Sequence, residues 1–327
     1  MAQWLSWLER RPVTAEVTSS SLVWVVCNIA IPWDLSSAGR ASALQAEGHR
    51  FEPYCSHHEN LSPVYAGLFV MYSLFEVKLL FKMPERIALI ESMIPTGSIC
   101  ADIGTDHGYL PMSLAISKKC KKIIATDISE TCLKKAIKNI TLQDLTDVDI
   151  EYRIGDGIKP LCKEDNITHV VIAGMGGRQI IEMLRLLPEF LQNTIFILQP
   201  MQNIIELRNA LRELHCTIIN EDLVYENGRY FEIITLHKNS HLLSTCSYPV
   251  DNQLCAIFGP CIIAKQHPLL LARANEILET YIQTAFLIEK AAVFSESSKK
   301  IDSFRENIEM IRGLIYELQH SNNKPVG

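Results

Sequence analysis

Apolar positions recur with a steady period only from Met83 onward. Pro84 fits the first turn of a helix running to about Met93, with Ile87, Ile90 and Ile94 on one stripe. Short apolar runs at Ser98–Ile103, Lys121–Thr126, Val148–Ile154, His169–Ala173 and Thr194–Leu198 predict five strands. Between them, helices are expected near Tyr109–Ser117, from a Ser129 cap to about Ile140, and at about 177–187 and 202–214. Such alternation predicts an α/β fold, a parallel sheet with helices on both faces. Thr217–Tyr225 and Tyr230–Leu236 flank Asn227-Gly228, a pair suited to a two-residue hairpin turn, so the sheet should end antiparallel.

Past Leu236 the pattern changes. Residues 238–260 read as loop. From about His267 to Phe294, and again from about Ser297 to Gln319, the period is helical. Leu271, Ile277/Leu278, Tyr281/Ile282, Ala285 and Ile288 can face Ile301, Phe304, Ile308, Ile311 and Leu314/Ile315 in a coiled-coil-like antiparallel helical hairpin joined through Ser295–Ser298. That hairpin is either purely structural or an arm around a large substrate.

The first 82 residues follow neither pattern. They hold all four tryptophans and break short apolar bursts with Ser, Pro and Gly. WLERRPVTAEVTSSSLVWVV and GRASALQAEGHRFEPYCSHH resemble conceptual translations of tRNA genes, and the order of a signal or transit peptide is missing. The expected organisation is therefore a spurious or disordered extension over 1–82 with the true start at Met83, a catalytic domain over 83–238, and a linker with the helical hairpin over 239–327.

Composition narrows the class. At 327 residues, 48% hydrophobic and net charge −6, the chain has no global basic footprint, so any nucleic-acid surface is local. Ten scattered cysteines without a C-x-x-C pair argue against a structural metal site and for mostly reduced thiols. No apolar run reaches the roughly 18–20 residues that span a bilayer, so a cytoplasmic protein is expected.

The candidate chemistry follows the strands. Open α/β sheets bind ligands outside the carboxyl ends of their strands. The first strand leads into Asp102-Ile103-Gly104-Thr105-Asp106-His107-Gly108, whose glycines permit a tight turn and close backbone approach. This is not the G-x-G-x-x-G dinucleotide fingerprint. Asp127 ends the second strand, where a carboxylate accepts hydrogen bonds from a ribose diol, and Asp156 follows the third, where an adenine amino group would meet an acceptor. Read singly, each acid is a helix or turn cap. In register after three consecutive strands, they suit S-adenosylmethionine, whose cationic sulfonium favours a negative pocket. Ala173-Gly174-Met175-Gly176-Gly177 after the fourth strand leaves room for a planar base and lacks the Asn/Asp-Pro-Pro-aromatic motif of exocyclic-amine methylation. The layout is that of a class I S-adenosylmethionine-dependent methyltransferase, Rossmann-like, rather than of a nicotinamide-binding domain. Lys118, Lys119, Lys121 and Lys122, with Lys134, Lys135 and Lys138, are the only dense basic set, either an RNA contact or an ordinary solvated face.

The runs IPTGSICADIGTDHGYLPMSLA, ATDI, RIGDGI, VIAGMGG, LQP and FGP resemble the bacterial tRNA adenine-22 N1-methyltransferases from Met83 to the C-terminus. The resemblance implies methyl transfer from S-adenosylmethionine to N1 of adenine 22 in the D-arm of tRNA. It implies cofactor contacts at Asp102, Gly104, Asp127, Ile128, Asp156, Gly157, Ala173, Gly174 and Met175. Catalysis would fall to Asp106, the acid of the family's D-H pair, with His107 and Tyr109. Gly176, Gly177, Gln199 and Pro200, and the lysines at 118, 119, 121 and 122, would meet the substrate. No metal is expected, and a single chain is the favoured unit. A methyltransferase of another RNA base or a small metabolite, and a non-catalytic tRNA binder, are the alternatives.

Overall fold

In the computed structural model the chain divides into two units, Met1–Leu68 and Phe69–Gly327. The described residues, 83–143, 145, 148–238, 253–291 and 296–321, all belong to the second. What was expected of residues 1–82 lies outside them.

Seven strands form one sheet in the order β3-β2-β1-β4-β5-β7-β6. β1 (Ser98–Ile103), β2 (Cys120–Asp127), β3 (Ile150–Ile154), β4 (His169–Gly176) and β5 (Ile195–Gln202) are parallel, and β7 (Arg229–His237) pairs antiparallel with β5 and with β6 (Thr217–Glu226). The central strands are apolar on both faces, Val170, Val171 and Ile172 of β4 being fully buried, as strands covered by helices must be. The helices between them are α1 (Glu85–Ser92), α2 (Tyr109–Ser117), α3 (Glu130–Leu142), α4 (Gly177–Arg185) and α5 (Ile204–Glu213). Ser129 caps α3 as expected, its hydroxyl accepting from the Cys132 N–H. α2 starts at Gly108, whose φ is +74° and where a Cβ would sit 2.8 Å from that of Ala136. Only glycine combines that backbone with that contact.

One expectation fails after β7. Gln253–Phe258 (α6) is helical and largely buried inside the expected 238–260 loop, and Pro260–Ala264 (α7), buried as well, starts at that loop's last residue. Each is too short to show a period. Gly259-Pro260 reads as a break, yet Pro260 opens α7 at a position where its missing N–H costs nothing. Both helices pack with α8 (Leu270–Ala291) and α9 (Glu296–Ser321) around Leu223 of β6. α8 and α9 form the antiparallel pair, with the Tyr281 and Phe304 rings 5.2 Å apart and Ile301, Ile308, Ile311 and Leu314 buried, whereas Ile282 is exposed. The seam with the sheet is ionic. Buried Arg208 of α5 bridges Glu221 of β6 and Glu232 of β7, and donates to the Ala256 and Ile257 carbonyls that end α6. Among the described residues six cysteines are free thiols, while Cys261 is disulfide-bonded. No helix of the described residues is long and apolar enough to cross a membrane.

Candidate active site

The carboxyl ends of β1 to β5 surround a cavity of about 1060 Å³. The turn after β1 is fixed by backbone bonds, the Gly104 and Thr105 N–H groups both donating to the Thr126 carbonyl. Gly104 has φ +74°, and a Cβ there would reach within 2.3 Å of the Met175 methyl group, so the β1 turn and the β4 loop meet across this glycine.

Asp127 organises the next layer. One carboxylate oxygen accepts the Ser129 N–H at 2.8 Å, the other the Asp106 N–H at 3.2 Å. A bridging acceptor of this kind locks the β2 end to the β1 turn and helps hold Asp106 at φ +45°, a left-handed geometry that Asp tolerates better than most residues. The Asp106 side chain is 61% exposed into the cavity mouth, with an oxygen 3.6 Å from Nε2 of His107. The His107 ring lies 5.7 Å from the Tyr109 ring, and its carbonyl is held by Asn139 of α3.

Asp102 is different. It is 4% exposed, lines the cavity and pairs with no basic side chain among the described residues. Burial, reinforced by the nearby Asp127 charge and opposed by the Thr105 hydroxyl, raises its pKa from 3.8 to about 6. A carboxylate buried without a cation is a group waiting for a donor or a positive ligand. Asp156 lies at the rim, bonded to Lys159 at 2.6 Å. Around the wall, Asp102, Asp106, Asp127, Asp156 and Glu182 outnumber Arg86 and Lys159. Opposite, the Gly174 N–H donates to Oε1 of fully buried Gln199, and at φ +77° nothing lies within 4 Å of where a Cβ would stand. Gly174 is itself part of the cavity wall.

All nine expected cofactor contacts, the three expected catalytic residues and Gln199 therefore line one cavity. Gly176, Gly177 and Pro200 do not. Gly177 packs against α5, where a Cβ would stand 2.7 Å from the Asn203 carbonyl oxygen, and Pro200 is buried within β5. Lys118, Lys119, Lys121 and Lys122 lie at the other end of the sheet. Lys121 and Lys122 precede Asp127 in the same strand, roughly 17–20 Å back at about 3.3 Å per residue. Lys119 and Lys122 are ion-paired, with Glu91 and with Glu151. Sequence reading missed Arg86 of α1, Thr105, Gln179 and the apolar wall of Met183, Leu186 and Phe190. The only hint of that wall was the apolar stripe of α4, which continues past its packed face.

Comparison with known proteins places this arrangement. Residues 83–234 match the model of a methyltransferase domain. A Mycoplasma pneumoniae protein, provisionally named a tRNA methyltransferase, is 33% identical over 55% of this chain and 81% of its own length. The chain belongs to this family of tRNA methyltransferases. Another member, the tRNA (adenine(22)-N(1))-methyltransferase of Bacillus subtilis strain 168, is 24% identical over 72% of this chain and 97% of its own. A Streptococcus pneumoniae protein solved with S-adenosyl-L-methionine, also provisionally named a tRNA (m1A22) methyltransferase, is 26% identical, with a TM-score of 0.57 over 72% of this chain and 100% of its own.

Proposed function

We propose that this protein transfers the methyl group of S-adenosylmethionine to N1 of adenine 22 in the D-arm of tRNA. The observation that carries the reading is Asp102, an acid buried without a counter-charge on the wall of an acidic cavity, in a chain of the tRNA methyltransferase family. Such a wall fits a cofactor that is cationic at both its amino group and its sulfonium. Asp102 takes the cofactor's amino end. Asp127, already fixed by two backbone N–H groups, accepts from the ribose hydroxyls, and Asp156 from the adenine edge. Gly104, Ile128, Gly157, Ala173, Gly174 and Met175 supply backbone and apolar contact.

When bound, the cofactor supplies an electrophilic methyl group. Everything else falls to the chain. Adenine N1 carries a free lone pair at neutral pH, so no strong base must precede attack, and placing two reactants in one cavity supplies much of the acceleration. Methylation makes the ring cationic and acidifies its N6 amino group. Asp106 accepts from N6–H, which raises N1 nucleophilicity and stabilises the developing charge. His107 and Tyr109 set the plane of the base, and the open side of Gly174 gives it room. The target adenine takes part in tRNA structure, so exposing it costs a few kcal/mol, recovered from contacts elsewhere on the tRNA. Residues 83–238 form the cofactor domain, and residues 239–327 the linker and helical hairpin. A single chain as the working unit and the cytoplasm as the place of action complete the reading.

The test uses labelled S-adenosylmethionine and unmodified tRNA transcripts with A or G at position 22. Labelling of the A22 transcript alone, recovered as 1-methyladenosine, is expected. Equal labelling of both, or of neither while the cofactor binds, would overturn the reading.

A further inference from the structure

β7 runs antiparallel to β5 with Ile195 beside His237 and Leu198 beside Ile234. Its first residue, Arg229, therefore projects past the carboxyl end of β5, and the Asn227-Gly228 turn stands at the same end of the sheet as the cavity. The two are joined. Glu226, the last residue of β6, accepts both the backbone N–H and the guanidinium of Arg86, and Arg86 lines the cavity.

Beside that link the hairpin tip carries aromatic and cationic side chains on its two faces, Tyr225 and Tyr230 on one, Arg229 and Phe231 on the other. Tyr225 is 49% exposed, its ring 4.7 Å from that of Tyr230 across the strands. Arg229 is exposed, its guanidinium 5.7 Å from the Phe231 ring centroid and without an ion-pair partner among the described residues. Arg273 of α8 stands 5.4 Å over the Tyr230 ring. A tyrosine pair here also stabilises the hairpin, but register is already set by the turn and the long β6–β7 ladder, so half of Tyr225 need not stay in water for that purpose. An exposed ring beside a guanidinium-capped partner, with a second guanidinium on the other face of the tip, suits an unpaired base that stacks and a phosphate that ion-pairs. The other surfaces are worse matches. Lys119 and Lys122 are already paired with acids, and along α8 and α9 acidic side chains outnumber basic ones eight to six.

Resting on the function proposed above, we infer that the β6–β7 tip is a tRNA-binding surface. An unpaired nucleotide near the target adenine stacks on Tyr225, and the strand's backbone, passing round the tip, brings a phosphate to Arg229 on the other face. Arg86 and Glu226 keep this surface in fixed relation to the cavity.

The experiment measures binding of the A22 transcript, its salt dependence, cofactor affinity and thermal melting for the full chain and its Tyr225→Ala, Tyr225→Phe and Arg229→Ala variants. Tyr225→Ala is expected to weaken tRNA binding about tenfold, with Tyr225→Phe close to wild type because the stacking ring remains. Arg229→Ala should weaken it severalfold and lower the salt slope by about one. Cofactor affinity and melting should not move. Wild-type tRNA affinity in both Tyr225→Ala and Arg229→Ala, or a Tyr225→Phe variant as weak as Tyr225→Ala, would overturn the inference. If the wild type methylates A22 while the variants bind normally, only this surface falls. If the wild type neither binds nor methylates the transcript, the proposed function falls first.

Discussion

The two ends of the sheet use their charged side chains in opposite ways. At the amino end of β2 and β3, Lys122 meets Glu151, Arg153 reaches the same Glu151 from further along β3 and grips Asp165 through two hydrogen bonds of 2.6 Å, and Lys119 meets Glu91. The pKa values follow. Hydrogen bonds from Arg153 and Lys122 hold Glu151 at about 2, and those from Arg153 hold Asp165 at about 2. At the carboxyl end, Asp102 is pushed up to about 6 and Asp127 spends its oxygens on backbone N–H groups. Charges that answer one another stabilise a fold. Charges that remain unanswered around a cavity await a ligand.

The largest contrast is expected from Asp106→Asn. Turnover on the A22 transcript should fall a hundredfold or more, within the usual range for a positioned proton acceptor, with cofactor affinity unchanged. Steady-state kinetics together with direct cofactor binding separate the two effects.

The pH dependence of cofactor binding should come next. Asp102 must be ionised to hold a positive group, and its pKa near 6 lies well above the ordinary 3.8. Affinity should therefore drop about tenfold per unit as pH falls below about 6, in calorimetric titrations between pH 5 and 8. Stability of the free protein runs the other way. The folded state binds this proton more tightly than the unfolded one, so Asp102 contributes stability below about pH 4 that is lost as pH rises through about 6.

Gly177→Ala probes packing behind the site. The added methyl would meet the Asn203 backbone rather than a flexible side chain, and a cost of about 1–3 kcal/mol is expected, read as a shift of the urea midpoint. The smallest effect belongs to the amino end. Lys122→Gln leaves Arg153 on Glu151 and Asp165, so tRNA affinity should stay within twofold and stability within about 1 kcal/mol.

Much of this was visible in the chain. Strand-length apolar runs, the Ser129 cap and Asn227-Gly228 each announce their element locally, and Asp102, Asp106, Asp127 and Asp156 could be placed because loops after parallel strands converge. What stayed hidden depends on partners far away in sequence. Glu91 is 28 positions from Lys119 and Asp165 is 43 from Lys122, so a run of lysines gave no sign that two were already paired. α6 and α7 gain their helical state from packing on β6 rather than from a period of their own. The apolar cavity wall at Met183, Leu186 and Phe190 looked like any core stripe.

The most direct test of the contrast between the ends is amide hydrogen exchange on the full chain, with and without S-adenosylhomocysteine. The account predicts slower exchange at residues 103–109, 127–129, 155–158 and 173–176, with 118–122 and 149–153 unchanged. Protection at the amino end, or its absence around the β1 turn at saturating ligand, would contradict it.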